Sequence, residues 1–156
     1  DFDTTGLLLF TTDGDLAQAL LHPSRHVTKR YVALVDGVVS DDELEPLRSG
    51  MMLDDGLCKP APCRVLAQRA ARAIWNTAVP HGTSVVEVEL SEGRKNQVKR
   101  MLGRVHHPVL RLHRPAFGPL ELGDLARGSW RLLTDEEIAR LRAAAAVSEP
   151  HDSKEG

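Results

Sequence analysis

The sequence predicts an α+β domain with a mixed, largely antiparallel sheet flanked by helices. Three observations carry this. Strand-patterned segments recur, most clearly at residues 31–35 and 84–90. Helical apolar stripes with capping residues lie between them. The two kinds of segment do not alternate as regular βαβ units, so a parallel doubly wound sheet is not expected. A chain of 156 residues with 42% hydrophobic and 27% charged residues is long enough to bury one core.

Residues 6–12 (GLLLFTT) are short and apolar and predict a buried strand. Asp13-Gly14 is turn and N-cap chemistry. Leu16, Ala17, Leu20 and Leu21 then recur at helical spacing until His22-Pro23 stops them. A basic loop from Arg25 leads to a strand over 31–35, closed by Asp36-Gly37. Ser40 and Glu43 form a capping box for a short helix through Leu47, ended by Gly50. Asp54-Asp55-Gly56 is a turn. Lys59-Pro60-Ala61-Pro62 lacks the donors for a central ladder and reads as edge or loop. Residues 65–73 and 74–79 are read as strands. In 84–90, Val86, Val88 and Leu90 face inward and Glu87 and Glu89 outward.

Residues 95–105 predict a helix, because Val98, Met101, Leu102 and Val105 form one stripe. Strands are expected at 109–113 and 130–133. Thr134 caps a last helix whose first turn holds Asp135, Glu136 and Glu137 and whose inner face is Ile138, Leu141 and Ala145. The domain is expected to occupy residues 1–146, with a polar, disordered tail over 147–156.

Charge is distributed unevenly. The chain carries 20 basic and 22 acidic residues, yet residues 93–120 hold seven Lys or Arg and no Asp or Glu. A basic block in a slightly acidic chain attracts polyanions locally; it also fits a solvated helix face. No apolar run is long enough to span a bilayer. Cys58 and Cys63, a single C-x4-C pair without a second, suggest reduced thiols in the cytoplasm and do not suggest a zinc site.

Three stretches carry candidate chemistry. Asp1 and Asp3 could supply a nucleophile and a general acid, or metal ligands. Residues 26–31 join cations to Tyr31, the only tyrosine, which suits base stacking or simple core packing. In the third, at 100° per residue, Lys99 borders the apolar stripe of the 95–105 helix, where a cation can meet a partly buried carboxylate. Arg94, Arg100 and Arg104 are left to meet phosphates.

The opening Asp-x-Asp-x-Thr is similar to the start of haloacid-dehalogenase-like magnesium phosphatases, which place that motif at the end of a strand. A larger set of ordered motifs resembles the RsuA-type family of RNA pseudouridine synthases. Asp1, Thr4, Gly6, Leu7 and Leu8 fit that family's first motif, and Lys29 and Tyr31 its Lys-x-Tyr. Glu92, Gly93, Arg94, Gln97, Val98, Lys99, Arg100 and Met101 fit its Glu-Gly-Arg run, with Asn96 where His is frequent. The resemblance covers about residues 1–141 and lacks the family's Arg-Leu before the aspartate and its S4-like domain.

The resemblance implies the family's catalytic-domain fold and the isomerisation of uridine to pseudouridine in ribosomal RNA, without a cofactor or metal. It implies Asp1 as the catalytic carboxylate, Lys99 as its cationic partner, and Tyr31 as the group that stacks on the base and moves a proton at carbon 5. Lys29, Arg94, Gln97, Arg100, Arg104 and Arg114, with Arg25 less centrally, are the expected RNA contacts. A monomer is expected. The alternatives are the magnesium phosphatase and a fragment that binds RNA without turning it over.

Overall fold

The computed structural model describes residues 4–147. One six-stranded sheet organises it. β1 (Thr4–Gly6), β2 (Lys29–Asp36), β5 (Cys63–Leu66), β6 (Thr83–Leu90) and β7 (Val109–Phe117) lie in the order β1-β7-β2-β6-β5, and β8 (Leu120–Glu121) pairs with β7. β3 (Met52–Leu53) and β4 (Gly56–Leu57) form a separate hairpin. Only the β1–β7 pairing is parallel, so the largely antiparallel α+β expectation holds.

Alternation along β2 sorts the core into two faces. Ala33 and Val35, with Val86, Val88, Leu90 and Leu112, pack against Leu44, Leu47, Val98, Met101 and Leu102. These last come from α2 (Glu45–Ser49), the 3₁₀ turn before it, and α4 (Gln97–Arg104). Val32, Leu34 and Val85 face α3 (Arg69–Trp75) on the other side. A third cluster joins Leu16 and Leu20 of α1 (Gly14–Leu21), Leu141 and Ala145 of α5 (Asp135–Val147), and Val27, Phe117 and Leu120.

Four expectations are corrected. β1 ends at Gly6, and residues 7–12 run on without a ladder: Leu7 and Leu9 pack inward while Leu8 and Phe10 are 64% and 89% exposed. Residues 69–75 are helix, in keeping with the helix propensity of Ala and Arg. β7 runs beyond His113 to Phe117, through Pro115. Residues 130–133 are not a strand, and Trp130 and Leu132 are 80% and 82% exposed.

The expected caps are present. Asp13 accepts from the Leu16 N–H, Ser40 N–H donates to Glu43, and Thr134 and Glu137 cap each other reciprocally. No helix among the described residues is long and apolar enough to cross a membrane.

A charged pair ties the turn after α4 to the capping box. His107 is buried; its Nδ1 donates to the Asp36 carbonyl at 2.8 Å and its Nε2 to Glu43 Oε2 at 2.6 Å. A Cβ on Gly37, where φ is +90°, would lie 2.8 Å from this Nδ1. Burial disfavours the imidazolium, but the Asp36 carbonyl and Glu43 outweigh it and raise the His107 pKa above its ordinary 6.5. The Ser40 N–H, then His107, pull Glu43 down from 4.5 to about 2. A raised histidine stabilises the fold fully below its unfolded pKa, and the gain is lost as pH rises through the raised value. A lowered carboxylate stabilises above its unfolded pKa, and that gain is lost as pH falls toward 2. The Tm difference between wild type and His107→Gln should therefore be largest between about pH 4.5 and 6.5 and shrink on both sides. A pH-independent difference would refute the charged pair.

Candidate functional site

The parallel strand β1 is held against β7 by glycine. Gly6 has φ +115°, and a Cβ there would come within 2.3 Å of the Arg114 carbonyl oxygen. The Leu7 N–H donates to that carbonyl, and Arg114 returns Nε and Nη2 to the Leu7 carbonyl at 3.0 and 2.7 Å. Thr5 and His113, register partners, share a 2.8 Å hydrogen bond through Thr5 Oγ1 and His113 Nδ1. Burial lowers the His113 pKa. Asp1, which precedes this strand, lies outside the described residues.

Tyr31 sits where the β2–β7 ladder breaks register. Arg30 pairs with Ala116 and Val32 with His113, so two residues of β7, Arg114 and Pro115, stand opposite Tyr31. Such a bulge re-aims side chains, and proline, which has no N–H to donate, is tolerated at one. On its other side Tyr31 is in register with Val88, and its half-buried ring packs against the main core, the one that α4 covers.

Between β6 and α4, the loop of residues 91–96 is organised by a buried carboxylate. Glu92 accepts from the Lys59 N–H at 2.9 Å and from Gln97 Nε2 at 2.8 Å, and lies 3.4 Å from Arg94 Nε. Burial pushes the Glu92 carboxyl up, but these donors prevail and its pKa is lowered. Gln97, expected to touch RNA, is instead 2% exposed, with its side-chain oxygen on the Arg94 N–H. The residues before Val98 are thereby fixed, and with them the start of the helix that carries Lys99, half-buried at the border of the core.

The arginines of α4 and its loop are not the unoccupied cations the sequence suggested. Arg100 makes a two-pronged contact with Asp55, at 2.9 and 3.1 Å. Arg94 Nη1 is 3.5 Å from Asp55 Oδ1, and its Nη2 donates to the Leu57 carbonyl at 2.7 Å. Arg104 donates to the Met52 carbonyl. All three hold the β3–β4 hairpin against α4, and Asp55 is lowered chiefly by Arg100. Arg25 Nη1 donates to the Ala145 carbonyl, on the side of α5.

Lys29 differs from the other basic candidates. It is only 6% exposed, its Nζ is 5.6 Å from the centre of the Phe117 ring, and the Arg114 guanidinium carbon is 5.2 Å from the same ring. Burial, then Arg114, push the ammonium below its usual pKa; Glu92 opposes them. The structure thus brings Lys29, Tyr31 and Arg114 to one region of β2 and β7, and sets Arg94, Arg100 and Arg104 along α4 and its loop.

Sequence reasoning gave no role to Glu92, Asp55 or Phe117. Glu92 was visible as the acid beginning the Glu-Gly-Arg run. Asp55 became an arginine partner only when the hairpin folded onto α4, and Phe117 a ring under two cations only when β7 reached past Pro115.

Comparison with known proteins gives the family and the fold. A family model described as RNA pseudouridylate synthase matches residues 1–103. The chain is 37% identical over 145 residues to the ribosomal large subunit pseudouridine synthase B of Bacillus subtilis, covering 93% of this chain and 56% of that protein. It is 37% identical over 142 residues to the ribosomal small subunit pseudouridine synthase A of Escherichia coli, covering 89% and 55%. A crystal structure of a pseudouridylate synthase superposes with TM-score 0.76 at 31% identity, covering 90% of this chain and 56% of that one. The chain therefore spans little more than half the length of these relatives.

Proposed function

The chain belongs to the RNA pseudouridylate synthase family, and from that premise we propose that it isomerises a uridine of ribosomal RNA to pseudouridine. The observation that carries this is the ordered set of motifs within residues 1–103, set on a fold that superposes on a pseudouridylate synthase. The phosphatase alternative finds no support: the family model and the relatives the chain matches are pseudouridine synthases.

In this reading the bond between N1 of the base and C1′ of the ribose breaks, the base turns, and a bond forms from carbon 5 to C1′ as carbon 5 loses its proton and N1 gains one. The Asp1 carboxylate acts on the ribose or the base. A cleft that excludes water would raise its pKa, and the Lys99 ammonium opposes that rise and keeps it ionised. Tyr31 stacks on the base and takes part in the proton transfer at carbon 5. Glu92 and Gln97 act at one remove, by fixing the loop and the first turn of the helix that bears Lys99. A uridine in structured RNA must first be flipped out, which costs a few kcal/mol. Contacts from the cations of residues 93–120 to flanking phosphates offset that cost.

The test is tritium release from carbon 5 of labelled uridine in ribosomal RNA transcripts incubated with the full-length protein. Release with matching pseudouridine formation at a defined uridine is expected. Transcripts of both subunits left unchanged would refute the proposal.

A further inference from the structure

Lys29 and Arg114 approach one aromatic ring, Phe117, at 5.6 and 5.2 Å. Two like charges near one ring repel, and Lys29 as a residue is only 6% exposed, which costs a charged side chain much of its hydration. Such an ammonium is ordinarily paired. No acceptor among the described residues is hydrogen-bonded to its Nζ, and the nearby Glu92 carboxylate is taken by the Lys59 N–H, Gln97 and Arg94. Arg114 spends Nε and Nη2 on the Leu7 carbonyl.

A glycine borders this ammonium. A Cβ on Gly93 would stand 3.6 Å from Lys29 Nζ, in ordinary contact, and Gly93 itself is exposed. A side chain there would pack against the ammonium. Lys29 and Tyr31 are two residues apart on one face of β2, about 6.6 Å along the strand. That spacing suits one nucleotide, with its base on Tyr31 and a phosphate on Lys29.

We propose that Lys29 and Arg114, both beside the Phe117 ring and with Gly93 bordering Lys29, form a single seat for one RNA backbone phosphate beside the nucleotide held by Tyr31. This rests on the RNA-modifying reading above and adds to it a specific phosphate subsite. The seat lies apart from Arg94, Arg100 and Arg104, whose guanidinium groups hold the β3–β4 hairpin.

The experiment measures binding of a short uridine-containing RNA hairpin to the full-length protein by fluorescence anisotropy across a salt series, with Tm recorded for each variant. Lys29→Met should weaken binding about tenfold at low salt and reduce the slope of log K against log salt by about 0.7–0.9, the loss of one phosphate contact. Its Tm should stay level or rise, because a buried cation with no hydrogen bond to its Nζ among the described residues is replaced by an apolar chain of similar length. Gly93→Ala, with no backbone strain to introduce, should weaken binding in the same direction at unchanged Tm. Should Lys29→Met fold poorly, Gly93→Ala still decides the matter. Wild-type binding with the same affinity and salt slope in both variants overturns the seat alone. A wild-type protein with no salt-dependent RNA binding overturns the RNA reading and the seat with it.

Discussion

Asp1→Asn in the full-length protein abolishes pseudouridine formation while leaving RNA affinity within about twofold of wild type. The two halves of this expectation have different physical origins. Affinity for RNA is dominated by phosphate contacts and counterion release. Asp1 repels phosphates if anything, so its neutralisation does not weaken binding. Turnover needs an ionised carboxylate at the reacting ribose or base. Asn is isosteric but can neither add to carbon nor accept a proton at neutral pH. A loss of at least about 10³-fold, some 4 kcal/mol of barrier, is expected. Single-turnover tritium release with saturating enzyme reads the chemical step, and anisotropy reads binding. Retained turnover in Asp1→Asn would remove Asp1 from the chemistry and leave Tyr31 and Lys99 without a carboxylate to serve.

Much of the frame was legible because local rules and tertiary packing agree there. The β2 and β6 cores alternate or run apolar, and the Val98-Met101-Leu102-Val105 stripe of α4 is buried as its spacing demands. The two reciprocal caps, Ser40 with Glu43 and Thr134 with Glu137, mark helix starts correctly. Legibility failed where apolar content alone was read as strand. Leu7 and Leu9 pack against the α1–α5 cluster without ladder partners, and Trp130 and Leu132 point to solvent while Leu133 packs inward. α3 was misread because its buried Ala71 and flanking Ile74 and Trp75 look equally apolar to a strand template.

For the candidate site, motif spacing singled out Lys29, Tyr31, Lys99 and the arginines but could not say what each cation meets. Asp55 lies 45 residues from Arg100 in sequence, and only the hairpin's fold-back makes them a pair. The absence of acids within residues 93–120 therefore did not leave Arg94 and Arg100 unpaired; their shared carboxylate, Asp55, comes from outside the block. Gln97 shows the opposite error, a polar motif residue whose partners are internal.

Lys99→Met should lower turnover by about 10²–10³-fold, the scale seen when one electrostatic contact to a charged reacting group is removed. Met keeps the length of the side chain and a similar helix propensity, so α4 stays folded and the apolar neighbours Val98 and Met101 keep their packing. What is lost is the positive charge at the core border. On the proposed pairing, that charge is what favours the ionised form of a carboxylate in a water-excluding cleft, and Met cannot supply it. The acid limb of the pH–rate profile should then move to higher pH, with part of the lost rate recovered as pH increases. Lys99→Arg, which keeps the charge, should restore both rate and profile in large part. Arg104→Ala is the comparison, because Arg104 is exposed and donates to the Met52 carbonyl at the hairpin. Its loss should cost less than about tenfold, with an unmoved pH profile and an effect that fades at saturating RNA. Equal, small losses in Lys99→Met and Arg104→Ala would reduce Lys99 to one more surface charge and would leave the ionisation of Asp1 to be explained by hydrogen bonding alone.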